Sequence, residues 1–334
     1  MSEELITVEK LVNLPGQWLV IGSGSLIGSR FVDLSGPTSS LYGAGQKELD
    51  SNNKLLKGFQ SMDITDFDQV LRAIDRAPGK YVINFAGATL VDEIEKKRPK
   101  NPQDQNELNQ DLAYRLNVLG TRNILEACKK LSKLPILIST ESVFKGSDGP
   151  YVEDDQIVAS PDEVSWYGWT KVLAEKEVEK TGSPFLILRI SYPYRKDYLG
   201  KGDFARNFLK LYDNIQNDSS KGWYPIFDNQ QLTPTFVDDL PTAVQTLVEK
   251  EASGIYHITS PEEATPYDFC CELLKVARGV ADPAILVPRG DVVRFQQKHP
   301  ELAKRPVDGR LKSDRISQLG FKPTSWKEGI KIYA

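Results

Sequence analysis

The 334 residues carry 42 Lys and Arg against 46 Asp and Glu, a formal net charge of -4 that leaves no broad basic face for nucleic acid. With 40% hydrophobic and 26% charged residues, the chain can bury a substantial core, and no apolar run approaches the about 20 residues of a membrane helix. Such a length suits one large core with a smaller appended lobe.

Cys128, Cys270 and Cys271 have no metal-ligand spacing, and two of them are adjacent, so neither a disulfide framework nor a cysteine metal site is expected. His257 and His299 are the only histidines and are assigned structural roles. The first ten residues carry acids before any apolar run, unlike a secretory signal. The expectation is a soluble cytoplasmic protein without a metal.

In chain order, short apolar runs at 18–21, 39–42, 58–61, 81–85, 135–139 and 184–190 read as strands. Helical periodicity fills 67–74, 112–131 and 167–180, with Thr65 and Asp66 as caps before the first. This alternation predicts an α/β fold, a doubly wound parallel sheet. Residues 96–111, highly charged and broken by Pro99 and Pro102, read as an exposed surface insertion. After Ser191 the pattern loosens, with a strand at 254–259 and helices at 267–278 and 315–319. The predicted division is a dinucleotide-binding part over 1–195, its sheet completed by about 236–260, and a smaller C-terminal lobe over 196–334.

The first strand runs into Gly22-Ser23-Gly24-Ser25-Leu26-Ile27-Gly28 and then a helix. Such a turn lets a pyrophosphate approach the backbone at a helix N-terminus, although a tight turn without a ligand has the same look. Tyr167 and Lys171 stand four residues apart, on one helix face, where an ammonium can help lower a phenol pKa. Taken alone, that pair is also an ordinary solvated face. Thr140 ends one buried strand and Asn84-Phe85-Ala86-Gly87-Ala88-Thr89 ends another, the position at which open parallel sheets bind ligands.

As an ordered set these motifs resemble the extended short-chain dehydrogenase/reductase family, and within it the dTDP-4-dehydrorhamnose reductases. The resemblance runs through Val91, Asp92 and Glu95, through Asn117 to Thr121, and through Ser139-Thr140-Glu141-Ser142-Val143-Phe144. It continues with Tyr167 to Lys171 and Glu175, Leu188 to Ser191, Gln230 with Thr233 to Thr235, and Arg305-Pro306. It implies a Rossmann sheet with a C-terminal substrate lobe, and NADP, or NAD, as cofactor. The catalytic set it implies is Thr140, Tyr167 and Lys171. The implied cofactor set is Gly22, Ser23, Gly24, Ser25, Leu26, Ile27, Gly28, Asp63, Ile64, Phe85, Ala86, Gly87, Thr89, Asn117, Tyr167, Lys171 and Pro193. Asn117 is implied to support a water or backbone link to Lys171, and Pro193 to flank the carboxamide.

The sequence departs from the family where Ser25 takes the middle glycine place, where Glu141-Ser142 replaces Asp-Tyr, and where Leu232 replaces a glycine. No acid ends the second strand, which favours NADP, with Arg30 or Lys47 as candidates for its extra phosphate. Three functions follow as expectations: reduction of a keto group on a nucleotide-activated deoxysugar, an epimerase on the same scaffold, or a non-catalytic NADP-binding regulatory subunit. The partner expected is a nucleotide sugar, with a homodimer left open.

Overall fold

The computed structural model describes residues 11–46, 55–196, 202–218 and 220–334. Its centre is a seven-stranded parallel sheet formed by β1 (Gln17–Ile21), β2 (Ser40–Gly45), β3 (Leu56–Ser61), β4 (Tyr81–Asn84), β5 (Leu134–Thr140), β6 (Leu186–Ile190) and β8 (Gly254–His257). The spatial order is β3-β2-β1-β4-β5-β6-β8. Strand order reverses between β1 and β4, which opens a crevice at their carboxyl ends. The two remaining short strands, β7 (Ile226–Phe227) and β9 (Arg289–Gly290), pair with each other in parallel.

Period-two alternation along β1 assigns its side chains to two cores. Trp18 and Val20 pack with Phe31, Val32, Leu240, Val244 and Leu247 on one face. Leu19 and Ile21 pack with Val70, Ile74, Ile124 and Cys128 on the other. Helices Leu26–Leu34 and Leu240–Glu249 thus cover one face, and Phe67–Arg76 and Gly120–Lys130 the opposite one. Each fully buried Leu or Ile contributes roughly 1.5–3 kcal/mol, so this double layer is the main anchor of the strand tips. A separate core joins Tyr194, Phe208, Leu232, Phe236, Phe269, Leu273 and Trp326 beyond β6.

Two elements differ from the sequence expectation. The 112–131 segment is not one α-helix: a turn Leu112–Tyr114 passes through a π-helical stretch, Arg115–Leu119, before Gly120–Lys130. The widened turn carries Asn117, and such π-bulges recur at functional sites. The 96–111 insertion is not a bare loop either. It contains helix Gln105–Gln110, and it buries Leu108 and Asp111. The reason is two acids that bracket one tryptophan: Trp166 donates its backbone N–H to Glu95 Oε2 at 2.6 Å and its Nε1 to Asp111 Oδ1 at 3.0 Å. Arg98 ties the same region to the Pro161 carbonyl at 3.0 Å. The loosened region after Ser191 also holds a long helix, Phe204–Asn217, capped by Asp203.

Candidate active site

Register fixes which strand ends meet. Ile21 lies beside Ala44 and Asn84, and Thr140 beside Ile190, so the tips of β1, β2, β4, β5 and β6 share one rim. Gly22 begins the turn there with φ +74, and a Cβ on it would come within 2.6 Å of the Ala86 nitrogen. At Gly28 a Cβ would sit 2.2 Å from the Gly22 carbonyl oxygen. Both positions therefore require glycine. Ser25, in place of the family's middle glycine, caps helix Leu26–Leu34 by accepting from the Gly28 N–H at 3.0 Å. Ser23 is fully buried in the turn, and its Oγ has no hydrogen-bond partner among the described residues. A close-approach turn, a helix N-terminus and an unpaired buried hydroxyl together fit a dinucleotide.

Asn84 turns back to accept the Ala86 N–H at 2.9 Å, which sets the small-residue run Phe85-Ala86-Gly87-Ala88-Thr89 along the rim. Phe85 packs its ring on Phe31 at 5.2 Å. Asn117 then clips that run to the catalytic helix. Its Oδ1 accepts from the Ala88 N–H at 2.8 Å, and its Nδ2 donates to the Ala88 carbonyl at 3.1 Å and to Thr170 Oγ1 at 2.9 Å. Asn117 is thus engaged directly with Ala88 and Thr170. Lys171 instead donates to the Ile138 carbonyl at 2.6 Å.

Helix Trp166–Glu179 begins at Ser165, which accepts from the Gly168 N–H at 3.1 Å. A Cβ at Gly168 would lie 2.4 Å from the Ser142 carbonyl oxygen, so the helix starts hard against the tip of β5. This close approach brings Tyr167 to face Thr140. Burial draws the Lys171 ammonium down to about 8, opposed by the carboxylate of Glu175 one turn on. The expected lowering of the Tyr167 phenol is reversed: burial raises it first and the neighbouring Glu141 raises it further, while Thr140 pulls the other way. Lys171 is turned toward Ile138, so it does not offset these effects. A raised phenol stays protonated at neutral pH, the form a proton donor requires.

Behind the lysine lies a buried polar chain. Glu175 accepts from Ser139 Oγ and takes both arms of Arg189, Nε at 3.1 Å and Nη2 at 2.7 Å. Arg189 Nη1 reaches His257 Nε2 at 3.4 Å, and His257 Nδ1 pairs with the Lys312 carbonyl at 3.1 Å. These partners assign the neutral Nδ1–H tautomer. Burial, then the charge of Arg189, holds His257 down at about 3. His257 is structural, as the sequence predicted.

The other anticipated residues divide. Asp63 accepts from the Thr65 N–H and hydroxyl at 2.8 and 2.9 Å, so one carboxylate oxygen is engaged in its own turn. Ile64 is buried with its side chain against Gly120. Arg30 is corrected as a phosphate ligand: it is 4% exposed and grips Asp238, Nε at 2.7 Å and Nη2 at 2.5 Å. Lys47 lies outside the described residues. Pro193 sits between Tyr192, whose φ is +42, and Tyr194, on the segment leaving β6.

Residues beyond the anticipated catalytic and cofactor sets complete the site. Arg195 holds the dinucleotide-turn helix through the Leu26 carbonyl at 3.0 Å and Ser29 Oγ at 2.7 Å. Gln230 donates to the Tyr192 hydroxyl at 2.9 Å and to the Pro306 carbonyl at 2.8 Å, and Arg305 meets Asp92 at 2.6 Å across the rim. Glu141, noticed in the sequence only as a departure, is buried beside Thr140. Among the described residues no cluster of His, Cys, Asp and Glu is arranged for a metal, and no helix is long and apolar enough to cross a membrane.

Residues 17–334 match the model of the RmlD substrate binding domain. The chain belongs to the RmlD substrate-binding-domain family. Within this RmlD group, the chain is 27% identical over 323 residues to a dTDP-4-dehydrorhamnose reductase of Aggregatibacter actinomycetemcomitans, covering 94% of this chain and 96% of that one. It is also 27% identical over 327 residues to methionine adenosyltransferase 2 subunit beta of Bos taurus, covering 95% and 91%. The RmlD fold is matched by the crystal structure of a Bacillus anthracis dTDP-4-dehydrorhamnose reductase in complex with NADP, with TM-score 0.74, 22% identity and coverage of 95% and 98%.

Proposed function

We propose that this chain reduces a keto group on a nucleotide-activated deoxysugar with NADPH, NADH serving as an alternative, in the manner of its dTDP-4-dehydrorhamnose reductase relatives. The observation that supports the reading is Tyr167 facing Thr140 at the tip of β5, with Lys171 held on the Ile138 carbonyl of the same strand, on the same rim as the Gly22–Gly28 turn. When bound, the cofactor supplies a hydride. Tyr167, kept protonated by its surroundings, gives a proton to the developing alkoxide. Thr140 orients the keto oxygen. Lys171 lies one helical turn from Tyr167 to hold the nicotinamide ribose. Gly22 to Gly28 receive the pyrophosphate, and Phe85, Ala86, Gly87 and Thr89 border the cofactor with Asn117 holding them in place. The lobe over 196–334 takes the nucleotide sugar, its Gln230 and Arg305 closing toward the rim.

The equally extensive similarity to a methionine adenosyltransferase beta subunit supports a second reading, a non-catalytic NADP-binding regulatory subunit. An intact Thr140-Tyr167-Lys171 set favours the enzyme. Cytoplasmic residence and self-association as a homodimer belong to the same proposal, the first supported by three free cysteines.

The test supplies NADPH with dTDP-4-dehydrorhamnose or the corresponding free keto sugar and follows both nucleotide oxidation and product. A reductase oxidises one NADPH per product, whereas an epimerase consumes none. Tyr167→Phe should cut single-turnover hydride transfer by roughly 10² or more with cofactor affinity nearly unchanged. Equal efficiency on the free sugar would overturn the substrate class, and near-normal transfer in the Phe variant would overturn the role of Tyr167.

A further inference from the structure

Glu141 is buried at the catalytic rim, and nothing in the proposed reaction uses it. Its Oε2 accepts from the Thr140 hydroxyl at 2.7 Å, and its Oε1 from the Ser142 hydroxyl at 3.2 Å. The Thr140 oxygen in turn accepts from the Ser142 N–H at 3.3 Å and faces the Tyr167 phenol. Gly309 packs close to the stem of this side chain, because a Cβ there would stand 3.3 Å from Glu141 Cγ.

A threonine hydroxyl has a single proton. When Glu141 is ionised it can only accept, so that proton points at Glu141 and the Thr140 oxygen offers only lone pairs to the cleft. A keto oxygen also offers only lone pairs. The two then face each other without a hydrogen between them. When Glu141 carries a proton, it can donate to Thr140, and the Thr140 proton is free to turn toward the keto oxygen.

We propose that Glu141 is a positioning residue that acts through Thr140, releasing the Thr140 proton to the substrate's keto oxygen only when the Glu141 carboxyl is itself protonated. This rests on the keto-reductase reading. Burial pushes Glu141 above the usual carboxylate range, while hydrogen bonds from Thr140, its own backbone and Ser142 pull it back. The groups facing it from other elements are the Tyr167 phenol on the catalytic helix and the Tyr192 phenol after β6, both raised first by burial and then by the Glu141 charge. Arg305, from the segment before Pro306, acts on Tyr192 and is itself paired with Asp92 at 2.6 Å.

The experiment is single-turnover reduction across pH with saturating NADPH, comparing wild type, Glu141→Gln, Glu141→Leu and Thr140→Val. In wild type the rate should fall as pH rises through the Glu141 titration, a transition distinct from the limb set by Lys171. Glu141→Gln donates to Thr140 at every pH, so it should stay active and lose that transition alone. Glu141→Leu neither holds the Thr140 proton nor donates to its oxygen, so the proton is free at every pH and this variant should lose that transition as well. Thr140→Val should also lack the transition, and it carries the test if the Glu141 variants do not fold. An unchanged pH profile in Glu141→Gln, Glu141→Leu or Thr140→Val would overturn the proposal. Infrared difference titration of wild type against Glu141→Gln reads the carboxyl proton without turnover. If no keto sugar is reduced, the functional reading fails, and a carboxyl ionised throughout that titration separately overturns the switch.

Discussion

Replacing Arg189 by Met removes one side of a buried ion pair while keeping most of the side chain's length. Arg189 is 1% exposed and Glu175 3%. The guanidinium makes two contacts with the carboxylate, at 2.7 and 3.1 Å, and lies 4.9 Å from the centre of the Phe144 ring. Met can refill the stem volume, so the loss comes chiefly from a carboxylate left without its cation. Breaking such a pair from one side costs about 3–5 kcal/mol, a large share of a typical total near 5–15 kcal/mol. The companion Glu175→Leu strands the arginine and should cost a similar amount. With both changed, neither member of the pair is left facing the other's absence, and the double variant should be more stable than either single one predicts by addition, with coupling of about 2 kcal/mol or more. Urea unfolding followed by tryptophan fluorescence and circular dichroism gives the four free energies, provided the two signals coincide. A loss under about 1 kcal/mol for Arg189→Met, or additivity of the two changes, would refute the view that this pair is desolvated and mutually dependent.

Two further outcomes follow from the same architecture. His257, held at about 3 in the folded chain against 6.5 when free, takes up its proton only on unfolding between those values, so its contribution to stability falls as pH drops through that window. At pH 5 the loss is about 2 kcal/mol, and comparing pH-dependent unfolding with His257→Asn should show a shallower acid slope in the variant. Asn117→Ala leaves the buried Thr170 hydroxyl and both Ala88 backbone groups without their clip. It should lose roughly 1–3 kcal/mol of stability and weaken cofactor binding, read by fluorescence titration.

What the sequence revealed and what it hid divide along a physical line. The Gly22–Gly28 turn, the strand tips at Asn84 and Thr140, and the Tyr167–Lys171 pair are local patterns, each set by the few residues around it. Arg30 looked like a free cation near a phosphate because its partner Asp238 is 208 positions away, and nothing near Arg30 announces it. The reversed phenol shift has the same origin: spacing gives the distance from Tyr167 to Lys171, but the lysine's partner lies 33 positions upstream at Ile138. The charged composition of 96–111 suggested exposure, and most of its side chains are exposed. It could not show that Asp111 is buried under Trp166. Glu141 was visible as a departure, whereas its effect on Thr140 depends on which hydroxyl holds which proton, a matter of three-dimensional contact.

The bracketing of Trp166 by Glu95 and Asp111 gives the insertion a divided character. Its two ends are bolted to the residue next to the proton donor, so a shift at either end would move Tyr167 relative to Thr140. Between them, Lys100, Asn101, Gln103, Gln105 and Asn106 face solvent and have no such duty. One short stretch thereby combines a foundation, which drift in sequence would undermine, with an outer façade that can be rewritten beside the cleft while the chemistry behind it stays in alignment.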